Sequence, residues 1–245
     1  MPILEINGTK WGTSLSRGTP IDSIQIIGGW TQFTLRRGGL GEETFRSELS
    51  GRDDGLTRQM LSNVEYLVRF NLHTPPVWRP DDTHEIIWQL HKVPDDEERG
   101  EQNQPLLSLR VHGRQLCMHY GYSTAPISYA KNNLALGQSR EFGRLGSNKK
   151  YPIELRFNLS RGTLGKGFFD VSLDGRREFS YSGPLGYDDE IGPYMKFGIY
   201  KSRWNPKQGR GPTRTDVRQY GFSGLSVIRV DQPFGVVSAL QEDEK

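Results

Sequence analysis

The sequence predicts an all-β fold, a jelly-roll or related sandwich of two antiparallel sheets with a concave groove on one of them. Three observations carry that expectation. About a dozen short stretches alternate apolar and polar residues or are rich in β-branched and aromatic ones, the pattern of strands. Turn formers are frequent between them, with 29 Gly and 14 Pro in 245 residues. Helical periodicity is scarce: 55–63 reads as a short helix or irregular turn, and 128–136 as a second short helix.

In chain order the expected strands are 24–27, 31–35, 45–49, 65–72, 85–91, 106–111, 115–120, 153–159, 168–173, 177–181, 194–200 and 224–230. The stretches 106–111 and 115–120, separated by His112-Gly113-Arg114, read as a hairpin. A second hairpin joins 168–173 to 177–181 through Asp174-Gly175, a dipeptide suited to a primed turn. No linker divides the chain and no repeat of fixed period is present, so residues 1–245 read as one domain whose polar end, 239–245, frays.

Composition excludes several classes. The single cysteine, Cys117, cannot form an intrachain disulfide. No apolar run reaches the ~18 residues of a membrane span. The start, Met1-Pro-Ile-Leu-Glu-Ile-Asn, lacks a basic segment followed by an apolar one, so either the protein is made without a secretory signal or that signal has been removed. Net charge is only +3, yet it is unevenly spread. Residues 95–101 form an acidic loop, whereas 201–218 carry Lys201, Arg203, Lys207, Arg210, Arg214 and Arg218 against Asp216 alone. Such a basic segment favours an anionic ligand. No nucleic-acid-binding module accompanies it, and no phosphate-binding glycine loop is present.

Three strand-like stretches then stand out. Phe45-Arg-Ser-Glu-Leu49, Ile86-Ile-Trp-Gln-Leu-His91 and Tyr194-Met-Lys-Phe-Gly-Ile-Tyr200 each separate into an apolar face and a chemically active one. The expected apolar faces are Phe45/Leu49, Ile86/Trp88/Leu90 and Met195/Phe197/Ile199. The opposite faces carry Arg46/Glu48, Gln89/His91 and Lys196/Gly198/Tyr200, with Gly198 leaving room for a ligand to approach the backbone. Each set alone is compatible with a solvated strand face or a surface ion pair. Together they supply groups that bind a carboxylate and move a proton.

In this order and form the three stretches resemble the signatures of jelly-roll polysaccharide lyases: Arg46-Ser-Glu-Leu, Gln89-Leu-His91 and Tyr194-Met-Lys-Phe-Gly-Ile-Tyr200. The resembled clan includes family 7 alginate lyases, glucuronan lyases and heparin lyase I. The Lys-Phe-Gly-Ile-Tyr-Lys form looks nearer to the glucuronan and heparin lyase group. The resemblance implies β-elimination at a 4-linked uronate in an acidic polysaccharide, glucuronan first, then alginate or a heparin-like chain. It also implies a secreted or periplasmic enzyme. Arg46 and Gln89 would neutralise the uronate carboxylate. Tyr200 and His91 would transfer protons, with Lys196 and Arg46 favouring a Tyr200 phenolate. Substrate contacts are expected from Lys196, Glu48, Tyr194, Lys201 and Arg203.

Two other readings stay open. One is a carbohydrate-binding sandwich without catalysis, suited by five Trp and ten Tyr. The other is a glycoside hydrolase built on Glu48, although no second carboxylate is placed beside it. No cofactor is required. The histidines lack zinc spacing, and Asp188-Asp189-Glu190 offers oxygen ligands for a structural calcium or else a solvated turn. A monomer acting on an anionic polysaccharide is expected.

Overall fold

The computed structural model describes residues 3–38, 44–93, 105–123, 138–161, 165–205 and 213–230. The expected helix at 128–136, the acidic loop 95–101, Lys207, Arg210 and the 239–245 tail lie outside the described residues.

Fifteen strands follow one another: β1 Ile3–Ile6, β2 Thr9–Leu15, β3 Ile24–Ile27, β4 Trp30–Arg36, β5 Arg46–Gly51, β6 Glu65–His73, β7 Asp81–His91 and β8 Leu107–Gly113. They continue with β9 Gln115–Tyr120, β10 Gln138–Arg144, β11 Lys150–Asn158, β12 Gly167–Leu173, β13 Arg176–Gly183, β14 Tyr194–Tyr200 and β15 Val217–Val230. No α-helix occurs among the described residues, and 55–63 is turn and bend.

Two antiparallel sheets result. One runs β1-β2-β5-β14-β7-β8-β9-β10 and the other β13-β12-β11-β6-β15-β4-β3. Both expected hairpins form, and the second turns through Asp174 and Gly175 with φ of 51° and 76°, the primed geometry this dipeptide favours. Strands β1 and β2 go beyond the expectation, although Asn7-Gly8 between them, at φ of 51° and 79°, carries the same turn signal.

The inner faces meet in one aromatic-rich core. Phe197 of β14 packs edge-on against Phe33 of β4 at 5.4 Å and against Trp11 of β2 at 4.7 Å, and reaches Phe222 of β15 at 5.5 Å. It therefore joins neighbours from both sheets, and its burial fixes the strand whose other face carries Lys196 and Tyr200.

One expected apolar face is corrected. Trp88 and Leu90 point inward, but irregular pairing on both sides of β7 puts Ile87 in the core. Ile86 is displaced outside the core cluster and sits opposite Tyr200. An extra residue shifts the alternation, which a strict two-residue period cannot anticipate.

Candidate active site

Strands β5, β14 and β7 are immediate neighbours, so the three distant stretches meet on one sheet. Register sets Tyr200 opposite Arg46, Gly198 opposite Glu48, Lys196 opposite Gln89 and Tyr194 opposite His91. Since Leu49, Trp88, Phe197 and Ile199 fill the core, these polar partners share the outer face.

Their centre is a carboxylate. Gln89 Nε2 donates to Glu48 Oε1 at 2.5 Å, Arg46 Nε lies 3.1 Å from Glu48 Oε2, and Lys196 Nζ lies 4.0 Å from the same oxygen. Glu48 is 1 % exposed and Gln89 2 %. The Arg46 contact is an ion pair without good hydrogen-bond alignment. Three groups expected to bind substrate thus converge on Glu48, which lies beneath them rather than reaching substrate.

The Arg46 guanidinium also lies over the Tyr200 ring, 4.9 Å from its centre, and Phe45 meets that ring edge-on at 5.9 Å. At the other end of β14, His91 packs against Tyr194 at 5.3 Å, and Lys196 Nζ stands 5.2 Å over the Tyr194 ring. His91 Nδ1 is 2.9 Å from the Lys92 carbonyl, an acceptor only, so Nδ1 carries the proton and Nε2 keeps the lone pair of the neutral ring. Burial, aided by the charge of Lys196, lowers the His91 pKa to about 4. Burial also lowers Lys196 to about 8, against the opposing pull of Glu48. Tyr194 is pushed upward by burial.

Gly198 has a different reason from the one expected. Its φ is +136°, and an added Cβ would fall 2.7 Å from Glu48 Cα and 2.9 Å from Phe33 Cδ1. Glycine is required by the irregular pairing of β14 and its close approach to β5, not by a sugar.

Lys201 is also corrected. Its side chain is fully buried, 3.5 Å from Asp81 and 3.9 Å from Glu85. Arg218 is 1 % exposed and forms a two-nitrogen pair with the same Glu85, to which Tyr220 also donates. Burial works to raise the Asp81 pKa, but hydrogen bonding from Thr213 and the charge of Lys201 hold it at about 2. Neither cation is available to a polysaccharide. Arg203 is exposed on the turn Ser202–Trp204, where its charge is felt at His84.

Two of the three carboxylates offered for calcium are already engaged: Asp188 with Arg161 at 2.7 Å and Asp189 with Lys92 at 3.7 Å. Among the described residues, no group of three His, Cys, Asp or Glu is placed to hold a metal.

The same face continues onto β8 and β9 with residues the sequence reading did not select. Ser108 is opposite both Gln89 and His119, while Arg110 is opposite Ile86 and Cys117. Arg110 Nε donates to Ser108 Oγ at 2.9 Å. Burial, then Arg110, depresses the His119 pKa to about 3. The alternation of Ser108 and Arg110 with Leu107, Leu109 and Val111 was the available signal.

A polysaccharide lyase family model matches residues 17–223, a span that contains all three stretches and the strands that bring them together. The chain belongs to the polysaccharide lyase family. This polysaccharide lyase is similar in structure to the endo-β-1,4-glucuronan lyase of the fungus Trichoderma reesei, with a TM-score of 0.66 at 13 % identity over 92 % of this chain and 89 % of that one. An alginate lyase from Pseudomonas aeruginosa matches with a TM-score of 0.54 at 20 % identity, covering 90 % of this chain and 98 % of its own. Another, from a Corynebacterium species, gives 0.56 at 15 % identity over 92 % and 96 %. A search of curated protein sequences finds no match. At these identities the likeness extends to the fold, an antiparallel jelly-roll sandwich.

Proposed function

We propose that this lyase cleaves a 4-linked uronate polysaccharide by β-elimination, with glucuronan its first substrate, ahead of alginate and heparin-like chains. The observation that carries the reading is the assembly of Arg46, Gln89 and Lys196 around Glu48, with Tyr200 against Arg46 and His91 beyond Tyr194. The Lys196-Phe-Gly-Ile-Tyr-Lys201 form supports the choice of glucuronan.

The chemistry follows from charge. Removing the proton at carbon 5 beside an ionised carboxylate builds a second negative charge, so the enzyme must first offset the carboxylate. Arg46 spends Nε on Glu48 and keeps its outer nitrogens for that task, joined by the second N–H of Gln89. Glu48 holds these donors in place before substrate arrives, so little reorganisation is needed. The base takes the carbon-5 proton, the electron pair forms the carbon 4–carbon 5 double bond, and the bond from carbon 4 to the glycosidic oxygen breaks. Tyr200 delivers a proton to the departing oxygen. Tyr200 or the Nε2 lone pair of His91 accepts the carbon-5 proton, according to which side the configuration of the uronate presents.

A panel of glucuronan, alginate, heparin and neutral glucans, followed by ultraviolet absorbance of new unsaturated ends, tests the reaction. Activity on neutral glucans alone would contradict the roles given to Arg46 and Gln89. Tyr200→Phe removes only the phenolic oxygen and should lower turnover by ~10²–10⁴-fold with thermal stability little changed. Wild-type turnover in that variant would remove Tyr200 from the mechanism.

A further inference from the structure

Beside the Glu48 cluster lies an open cavity of about 380 Å³ whose lining includes Ser14, Arg46, Ser50, Arg52, Arg58 and Lys196 and contains no carboxylate. Three of its cations have anionic partners. Arg46 and Lys196 face Glu48, and Arg58 pairs with Asp54 at 3.8 Å. Arg52 has no carboxylate partner among the described residues. The acids that follow it in sequence are turned elsewhere, with Asp53 accepting from the Lys10 backbone N–H at 2.8 Å and Asp54 facing Arg58.

Arg52 rests in space that Gly12 leaves open. Its guanidinium lies across β2 at Gly12, where an added Cβ would stand 2.7 Å from Nη2 and closer still to Nε. Only the missing side chain lets the planar group rest there. Gly12 pairs with Ser50, Ser50 with Lys196 and Lys196 with Gln89, so these residues form one row across four neighbouring strands. At ~4.8 Å per strand, the guanidinium stands about 10 Å from the strand of Lys196 along this row. A sugar chain crossing the strands with one carboxylate at Arg46 and Gln89 brings a neighbouring unit toward Arg52.

We propose that Arg52, seated over Gly12, binds a second carboxylate of the same polysaccharide, which selects chains with uronates close in sequence over chains where neutral or amino sugars intervene. This rests on the lyase reading of the adjoining groups. A guanidinium offers a planar fork to a carboxylate, and an open, carboxylate-free cavity leaves that fork free to do so.

The test separates binding from cleavage. In a Tyr200→Phe background, calorimetry with a glucuronan oligosaccharide should show affinity about tenfold weaker once Arg52→Gln is added, the scale of a lost charge-assisted hydrogen bond. The loss should shrink on the same oligosaccharide with its carboxylates part-reduced to hydroxymethyl groups, and Arg52→Lys should restore only part of it. With Tyr200 intact, Arg52→Gln should raise KM by more than it lowers kcat. Equal affinity with and without Arg52, an equal loss on both oligosaccharides, or no binding at all would overturn the proposal. If Arg52→Gln weakens binding but the wild-type protein forms no unsaturated ends, the subsite stands and the lyase reading falls.

Discussion

Glu48 shows how one buried carboxylate organises a site made of cations. Alone, Arg46 and Lys196 would repel each other, and the Gln89 amide would lack a buried acceptor. With Glu48 beneath them, all three are held at hydrogen-bond or ion-pair distance. The two depressed pKa values set a pH window. Below about 4, His91 gains a proton and loses the lone pair on Nε2; above about 8, Lys196 loses its charge beside Glu48. A profile of kcat/KM against pH should therefore fall on the acid side near 4 if His91 is the base, and on the alkaline side near 8. Stability follows the same groups. Between about 6.5 and 4 the unfolded chain protonates His91 and the folded one does not, so stability should decline as pH falls through that interval. His119, depressed to about 3, extends the decline further. Thermal unfolding of His91→Gln across this range should show a shallower slope.

The strands explain which parts of this were readable beforehand. Alternation in 45–49 and 194–200 placed Leu49, Phe197 and Ile199 inside and Arg46, Lys196 and Tyr200 outside, because a regular strand has a period of two. The same rule failed at Ile86, where an extra residue breaks the period. Lys201 and Arg218 depart from the sequence expectation for another reason. Their basic segment lacks counter-charges only along the sequence; Asp81 and Glu85, more than a hundred residues earlier, supply them in space. Arg52 and Gly12 escaped because their relation exists only once β2 pairs with β5. Gly198 gives the sharpest check on β14. Gly198→Ala meets backbone on β5 and a left-handed φ, so it should cost roughly 2 kcal/mol or more and lower turnover as Tyr200 shifts. Calorimetric unfolding and steady-state rates on one sample would show both losses together, or reveal that β5 yields without disturbing Tyr200.

The two sheets are joined by charge as well as by hydrophobic packing. Glu85 on β7 accepts from Arg218 and Tyr220 on β15 of the opposite sheet and faces Lys201, the residue directly after Tyr200. Arg218 further donates to the Arg79 carbonyl at 2.5 Å and lies 5.5 Å from the Trp78 ring. Such a network is costly to desolvate and more costly to break, since removing one member strands its partners without water. Glu85→Gln should destabilise the protein by about 3 kcal/mol or more, read as a fall in the urea midpoint. A midpoint within experimental error of the wild type would show that Arg218 and Lys201 find other acceptors.

Because β14 places Met195, Phe197 and Ile199 in the interior and Lys196 and Tyr200 on the other side, improving heat tolerance by repacking the centre of this enzyme carries a hidden liability. Any enlarged side chain pressed against Phe197 moves the backbone that aims Tyr200. Engineering for industrial depolymerisation is better directed at the far side of the molecule. On β15, Val217 and Ile228 are 42 % and 44 % exposed, and polar replacements there touch neither the interior nor the groove.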